Sequence, residues 1–65
     1  MKTQEWIENK IKSEQSILKK FKKFLDGSLK MHDSDLIELY KMEIHVCNIK
    51  IELLEEILLQ LDTKL

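Results

Sequence analysis

The sequence contains no proline, no arginine and no alanine, and it has one glycine and one cysteine. A single cysteine excludes a disulfide within the chain. A domain of 65 residues therefore has no covalent staple, and such small domains usually depend on oligomerisation. Lysine and isoleucine are abundant, and their codons are AT-rich, whereas those of alanine, arginine and proline are not. This usage predicts a gene from a low-GC bacterium, its phage or a plasmid.

The composition predicts one small folded domain that covers residues 1–65. A hydrophobic content of 43% is too high for a solvated, disordered tail. Glu5 and Glu8 interrupt any apolar run at the start, so no secretory signal is predicted. The apolar runs are far shorter than the ~20 residues that span a bilayer. We therefore expect a cytoplasmic protein with no membrane association.

The chain has one predicted break, in the segment DGSLKMHD. Gly27 stands where a left-handed residue would end a helix, and Asp33 or Ser34 can cap the next helix. These signals predict a helix over about residues 3–26, a loop over about 27–33 and a helix over about 34–64. Two long helices with a short connection favour an antiparallel hairpin, so the predicted fold class is all-α.

The first predicted helix carries a single apolar stripe. Glu14 falls where this stripe should continue. One interpretation is a polar layer with Gln15 and Asn48; the other, which we favour, is a solvent-facing residue at a slight turn of the stripe. Trp6 is expected to pack near the open end of the hairpin. The stripe consists of residues at spacings of three and four, namely Ile7, Ile11, Leu18, Phe21 and Leu25.

The second predicted helix carries two apolar stripes on nearly opposite sides, since each residue turns the helix by about 100°. The first, called here the long stripe, comprises Ile37, Tyr40, Ile44, Cys47, Ile51, Leu54, Leu58, Leu61 and Leu65. The second, called here the short stripe, comprises Leu39, Met42, Val46, Ile49 and Leu53.

One hairpin can cover only one of these two stripes. The predicted second helix outruns the first by about two turns, and only the long stripe continues into this overhang. We therefore assign the short stripe to the first helix and the long stripe to an oligomer interface. The pattern predicts a homo-oligomeric helical bundle or coiled coil, a dimer or larger.

Four lysines stand close together in KKFKKF, residues 19–24, and a fifth points in the same direction. They are Lys12, Lys19, Lys20, Lys22 and Lys23, called here the lysine patch. One interpretation is a solvated face near a helix C-terminus, which we favour. The other is an anion-binding surface for nucleic acid, a phosphorylated small ligand or an acidic partner.

No set of side chains predicts catalysis, a metal site or a cofactor. Cys47 lies within the long stripe and is expected to act as a small hydrophobe. Glu43, His45 and Cys47 follow one another at spacings of two, so they point apart on a helix and do not form a metal triad. His32 and His45 are expected at the surface. An enzyme is therefore not predicted.

In architecture the chain resembles the Rop family of plasmid RNA-binding proteins, which have a similar length, two helices, one short bend and a dimeric bundle. The opening residues MKTQE are similar as well. The resemblance implies RNA binding as one option. Our leading hypothesis is a small homo-oligomeric regulator or inhibitor that binds a partner protein. The alternative is a protein that binds or sequesters phosphate-bearing ligands, either RNA or DNA or a signalling nucleotide, through the lysine patch and pockets between subunits.

Overall fold

A computed structural model of the protein describes residues 2–63, with side chains described as far as Leu61. It consists of two helices, α1 over Lys2–Met31 and α2 over Ser34–Thr63, which pack against each other as an antiparallel hairpin. The predicted all-α hairpin is confirmed. The predicted last residue of the second helix, Lys64, and the last residue of the long stripe, Leu65, lie outside the described residues.

Helix α1 does not end at Gly27 but continues for one more turn, to Met31. His32 takes the left-handed conformation, with a φ of 56°. Its N–H donates to the Leu29 carbonyl, and the Asp33 N–H donates to the Ser28 carbonyl, both at 3.2 Å. This pair of hydrogen bonds is the Schellman motif, with His32 at the C′ position. The prediction that Gly27 ends the helix is therefore wrong.

The additional turn makes contacts that a loop at residues 27–33 would not make. Ser28 is buried, and its hydroxyl donates to the Phe24 carbonyl oxygen at 2.9 Å. Glycine inside a helix costs roughly 0.5–1 kcal/mol, an amount that one buried helical turn can offset. The predicted seven-residue loop is reduced to His32 and Asp33.

Asp33 caps the start of α2, as the sequence predicts. The Leu36 N–H donates to Asp33 Oδ1 at 3.2 Å, and the Ile37 N–H donates to the Asp33 carbonyl oxygen at 3.0 Å. Asp35 adds a negative charge in the first turn, where the exposed N–H groups of the helix favour it. The two helices thus reverse direction within two residues.

The two helices are equal in length, at 30 residues each. The predicted overhang of α2 is therefore wrong, because it depended on ending α1 near residue 26. Five more residues of α1 lengthen that helix by about 7.5 Å, at 1.5 Å per residue. Helix α1 can consequently cover one side of α2 over nearly its whole length.

The core of the hairpin is a thin line of apolar side chains between the helices. Ile7, Ile11 and Ile51 are buried at its centre, and Leu18, Leu54, Leu58 and Leu61 pack around them. The molecule measures 50 × 14 × 10 Å. Its accessible surface is 5322 Å², whereas a compact monomer of this mass exposes about 4,400 Å². A single hairpin therefore leaves more surface in water than a compact domain does.

Candidate interaction surfaces

The long stripe of α2 packs against α1 within the same chain. Cys47 and Ile51 are buried there, and Leu54, Leu58 and Leu61 pack against the buried isoleucines of α1. Ile37, Tyr40 and Ile44 are partly buried. The assignment of the short stripe to the first helix is therefore wrong. The long stripe is occupied inside the hairpin, and its use as an interface between copies of the chain stays a prediction.

The short stripe is exposed along its whole length. Leu39, Met42, Val46, Ile49 and Leu53 are between 37% and 64% exposed, and Ile57 continues the stripe with 47% exposure. Such a continuous line of aliphatic side chains is unusual on a protein that acts as a monomer. It is the longest exposed apolar stripe of the hairpin among the residues described.

Glu14 lies inside the helix interface, with only 4% of the residue exposed. The interpretation of Glu14 as solvent-facing is wrong. Its carboxylate is 3.7 Å from the Lys10 ammonium, one turn earlier in α1. On the α2 side it lies near the Cys47 thiol, which can donate a hydrogen bond to it. A buried carboxylate needs such partners, since an unpaired charge inside a protein is strongly destabilising.

The Cys47 thiol is held in its protonated form. Burial raises its pKa, and the Glu14 carboxylate raises it further through its negative charge and its hydrogen bond. Glu43 also raises this pKa, while Lys50 lowers it. Because the reactive form of cysteine is the thiolate, this environment makes Cys47 a poor nucleophile. The expectation that Cys47 behaves as a small buried side chain fits this geometry.

Two shallow grooves lie on opposite sides of the helix pair. One, of about 220 Å³, is lined by Lys10, Glu14, Lys50, Leu53 and Leu54, so it joins the short stripe to α1. The other, of about 300 Å³, is lined by Glu8, Ile11, Lys12, Gln15, Glu55 and Leu58. The second groove contains charges of both signs and does not form a cationic pocket, although Lys12 of the lysine patch lines it.

All five residues of the lysine patch are exposed. The ion pairs found among the described residues are Lys10–Glu14 and Lys30–Asp26, so neither involves the patch. Helix α1 contains eight lysines and four acidic residues, a net charge of +4. Helix α2 contains two lysines and seven acidic residues, a net charge of −5. The patch is therefore a free cationic surface on the basic helix.

Three aromatic rings cluster near the turn of the hairpin. The ring centroid of Tyr40 is 6.1 Å from that of Phe21 and 5.7 Å from that of Phe24, and the two phenylalanine rings are 6.5 Å apart. Phe24 is half exposed. The sequence places two of these rings one turn apart, but their contact with Tyr40 follows only from the hairpin. Trp6, at the other end of α1, is 63% exposed, so the expectation that it packs is wrong.

Comparisons of the chain with protein families, with curated proteins and with solved structures give no match. Over residues 2–63, no three side chains of histidine, cysteine, aspartate or glutamate are arranged to hold a metal ion. In the same part of the chain, neither helix has a stretch long and apolar enough to cross a membrane. The surfaces of the hairpin are therefore the features that bear on function.

Proposed function

We propose that the protein is a non-enzymatic, homo-oligomeric helical hairpin that acts as a small regulator or inhibitor by binding a partner protein. The observation that carries this proposal is the exposed apolar surface. Among the described residues, twelve large hydrophobic side chains are exposed, whereas four hydrophobic side chains are buried. Burying apolar surface is the main driving force of association, so a hairpin with this much exposed apolar surface gains stability from a second chain.

Sedimentation velocity of three variants tests the oligomer. The wild type should be a dimer or larger at micromolar concentration. Leu53→Asp should be a folded monomer, because Leu53 is 55% exposed in the single chain, while an aspartate buried between chains would cost several kcal/mol. Asn48→Asp, at an exposed position outside both stripes, is the matched control and should keep the oligomer. A well-folded wild-type monomer would overturn the proposal.

The partner-binding part of the proposal is supported by the aromatic cluster and the lysines beside it. Phe24 offers an exposed ring for a partner's apolar side chain, and Lys20 and Lys23 precede it by four residues and by one residue. Aromatic side chains surrounded by charge are typical anchor points of protein interfaces. We expect an acidic partner surface, with Phe24→Ser weakening its binding while the oligomeric state remains that of the wild type.

The alternative function is binding of phosphate-bearing ligands, either RNA or DNA or a signalling nucleotide. The observation that favours it is the free lysine patch on a helix with a net charge of +4. The variant with Lys19, Lys20, Lys22 and Lys23 all replaced by glutamine keeps good helix formers and tests it. Affinity for a short RNA duplex should fall, and so should its salt dependence, by about 0.9 in the log–log slope for each phosphate that the variant no longer neutralises.

A direct measurement separates the two functions before any variant is made. Nucleic acid or a nucleotide that co-purifies with the protein raises its absorbance at short ultraviolet wavelengths. Two results together would refute the binding of phosphate-bearing ligands: no nucleic acid or nucleotide co-purifies, and the four-glutamine variant binds the RNA duplex as the wild type does. The lysine patch is then a solvated surface.

A further inference from the structure

The short stripe of α2, with Ile57 as its continuation, has the spacing of a helix that pairs with another helix. Its residues follow one another at intervals of three, four, three, four and four. At 100° per residue, its centre lies about 140° around α2 from the side that α1 covers. Helix α1 therefore cannot cover the short stripe, and a helix from outside the chain can reach it without disturbing the hairpin.

The area of the stripe matches what a second copy would bury. Its six side chains are between 37% and 64% exposed. They present on the order of 500 Å² of apolar surface per chain, so two copies would bury on the order of 1,000 Å² before their flanking residues are counted. This is close to the lower limit for a stable protein interface.

The charges beside the stripe decide how two copies would be oriented. Glu43 and Lys50 follow each other by seven residues along one edge of the stripe. The other edge carries Glu38, His45 and Glu52, which are also spaced by seven residues. None of these residues takes part in the two ion pairs found among the described residues, so their charges are free to meet another chain.

A parallel pair of α2 helices would place like charges together. In that register Glu38 of one copy faces Glu43 of the other, and His45 faces Lys50. An antiparallel pair brings Glu43 next to Lys50 of the second copy, and His45 next to Glu52, each contact occurring twice by symmetry. Opposite charges meet in the antiparallel pair only, at the edge that carries Glu43 and Lys50.

We propose that two copies of the chain pair antiparallel through the short stripe of α2, with α1 of each hairpin on the outside. Val46 of each copy then packs against Ile49 of the other, and Met42 packs against Leu53. The two-fold axis passes α2 between residues 47 and 48, near the middle of the helix, so the helices overlap over almost their full length. This arrangement rests on the homo-oligomer proposed above and specifies its interface.

Disulfide cross-linking tests the orientation in a Cys47→Ser background. The variants are Met42→Cys, Leu53→Cys and the combination of both, with Asn48→Cys as a control for random collisions. In the antiparallel pair, position 42 meets position 53 of the other copy, so only the combined variant should give a covalent dimer on a non-reducing gel. A disulfide within one chain is excluded, because eleven helical residues separate the two positions by about 16 Å.

The outcomes distinguish this arrangement from the oligomer itself. Dimers from either single variant would mean parallel pairing and overturn the antiparallel arrangement. A sedimenting dimer with no cross-link from the combined variant would mean another interface, which refutes this arrangement and leaves the proposed oligomer standing. A monomer would refute both.

A charge exchange gives a second, independent measurement. Glu43→Lys or Lys50→Glu alone should raise the dimer Kd about tenfold, since each replaces two attractive contacts with two repulsive ones. The variant with both substitutions should return to within a few-fold of the wild type. In a parallel pair, position 43 faces Glu38 of the other copy, so Glu43→Lys would lower the Kd instead. The direction of the change in Kd therefore distinguishes the antiparallel pair from the parallel pair.

Discussion

The substitution Gly27→Ala tests the structure where it departs most from the sequence pattern. If Gly27 ended α1 in a left-handed conformation, a β-carbon there would be strained, and alanine would destabilise the protein by roughly 1–2 kcal/mol. In the structure Gly27 lies inside α1, and a β-carbon would meet no atom within 4 Å. Alanine should therefore stabilise the protein by roughly 0.5–1 kcal/mol, the difference in helix propensity between the two residues.

The measurement is thermal or chemical unfolding followed by circular dichroism at one fixed protein concentration, because oligomerisation makes Tm concentration-dependent. A gain of 1 kcal/mol raises the Tm of a domain of this size by about 4–8 °C. Gly27→Asn is the matched control. Asparagine tolerates the left-handed conformation better than alanine but is the poorer helix former. A helix that continues through Gly27 therefore predicts that Gly27→Ala is the more stable variant, and a helix that ends at Gly27 predicts that Gly27→Asn is. Greater stability of Gly27→Asn than of Gly27→Ala would refute the continuous helix.

Substitutions at four further positions test the turn and the buried polar pair. His32→Gly should raise the free energy of unfolding by about 0.5–1 kcal/mol, because it removes a β-carbon from a left-handed residue. Asp33→Ala should lower the free energy of unfolding by about 1 kcal/mol through loss of the cap, whereas Asp33→Asn should retain most of the stabilisation that the cap provides. Glu14→Leu should be neutral or stabilising by about 1–4 kcal/mol, and a loss of more than about 2 kcal/mol would contradict the packing described. Cys47→Ala should cost about 1–2 kcal/mol near neutral pH and leave binding intact. Because the folded-state pKa of Cys47 is raised, the stability it contributes is present below the ordinary thiol pKa of about 8.5 and is lost as pH rises through the folded value. The alkaline loss of stability should therefore be smaller in Cys47→Ala than in the wild type.

The hairpin itself could be predicted from the sequence because its signals are local. Regular apolar spacing defines two helices, and Asp33 caps α2 through its own neighbours. The end of α1 could not be predicted in the same way. A glycine followed by a polar segment is the usual signal for a helix end. Here the additional turn places Ser28 in a buried position, and burial depends on the whole fold rather than on neighbouring residues.

The position of this helix end also decides which stripe of α2 is assigned to α1. With α1 ending near residue 26, the long stripe runs beyond its partner and indicates an external interface. With α1 ending at Met31, the helices are equal in length and the argument from the overhang no longer applies. The existence of two stripes was predictable from spacing alone, but their partners depended on the position of one helix end.

A polar residue explains why α1 covers the long stripe and leaves the short stripe exposed. Glu14 interrupts the apolar stripe of α1, so whichever side of α2 packs against α1 must accommodate a buried carboxylate. The long stripe offers the Cys47 thiol as a hydrogen-bond donor to Glu14. At the corresponding level the short stripe offers only Val46 and Ile49, whose side chains have no donor. An unpaired carboxylate there would be strongly destabilising. Glu14, the buried acidic residue among those described, therefore favours the side of α2 that α1 covers, and an apolar stripe is left available to a second chain.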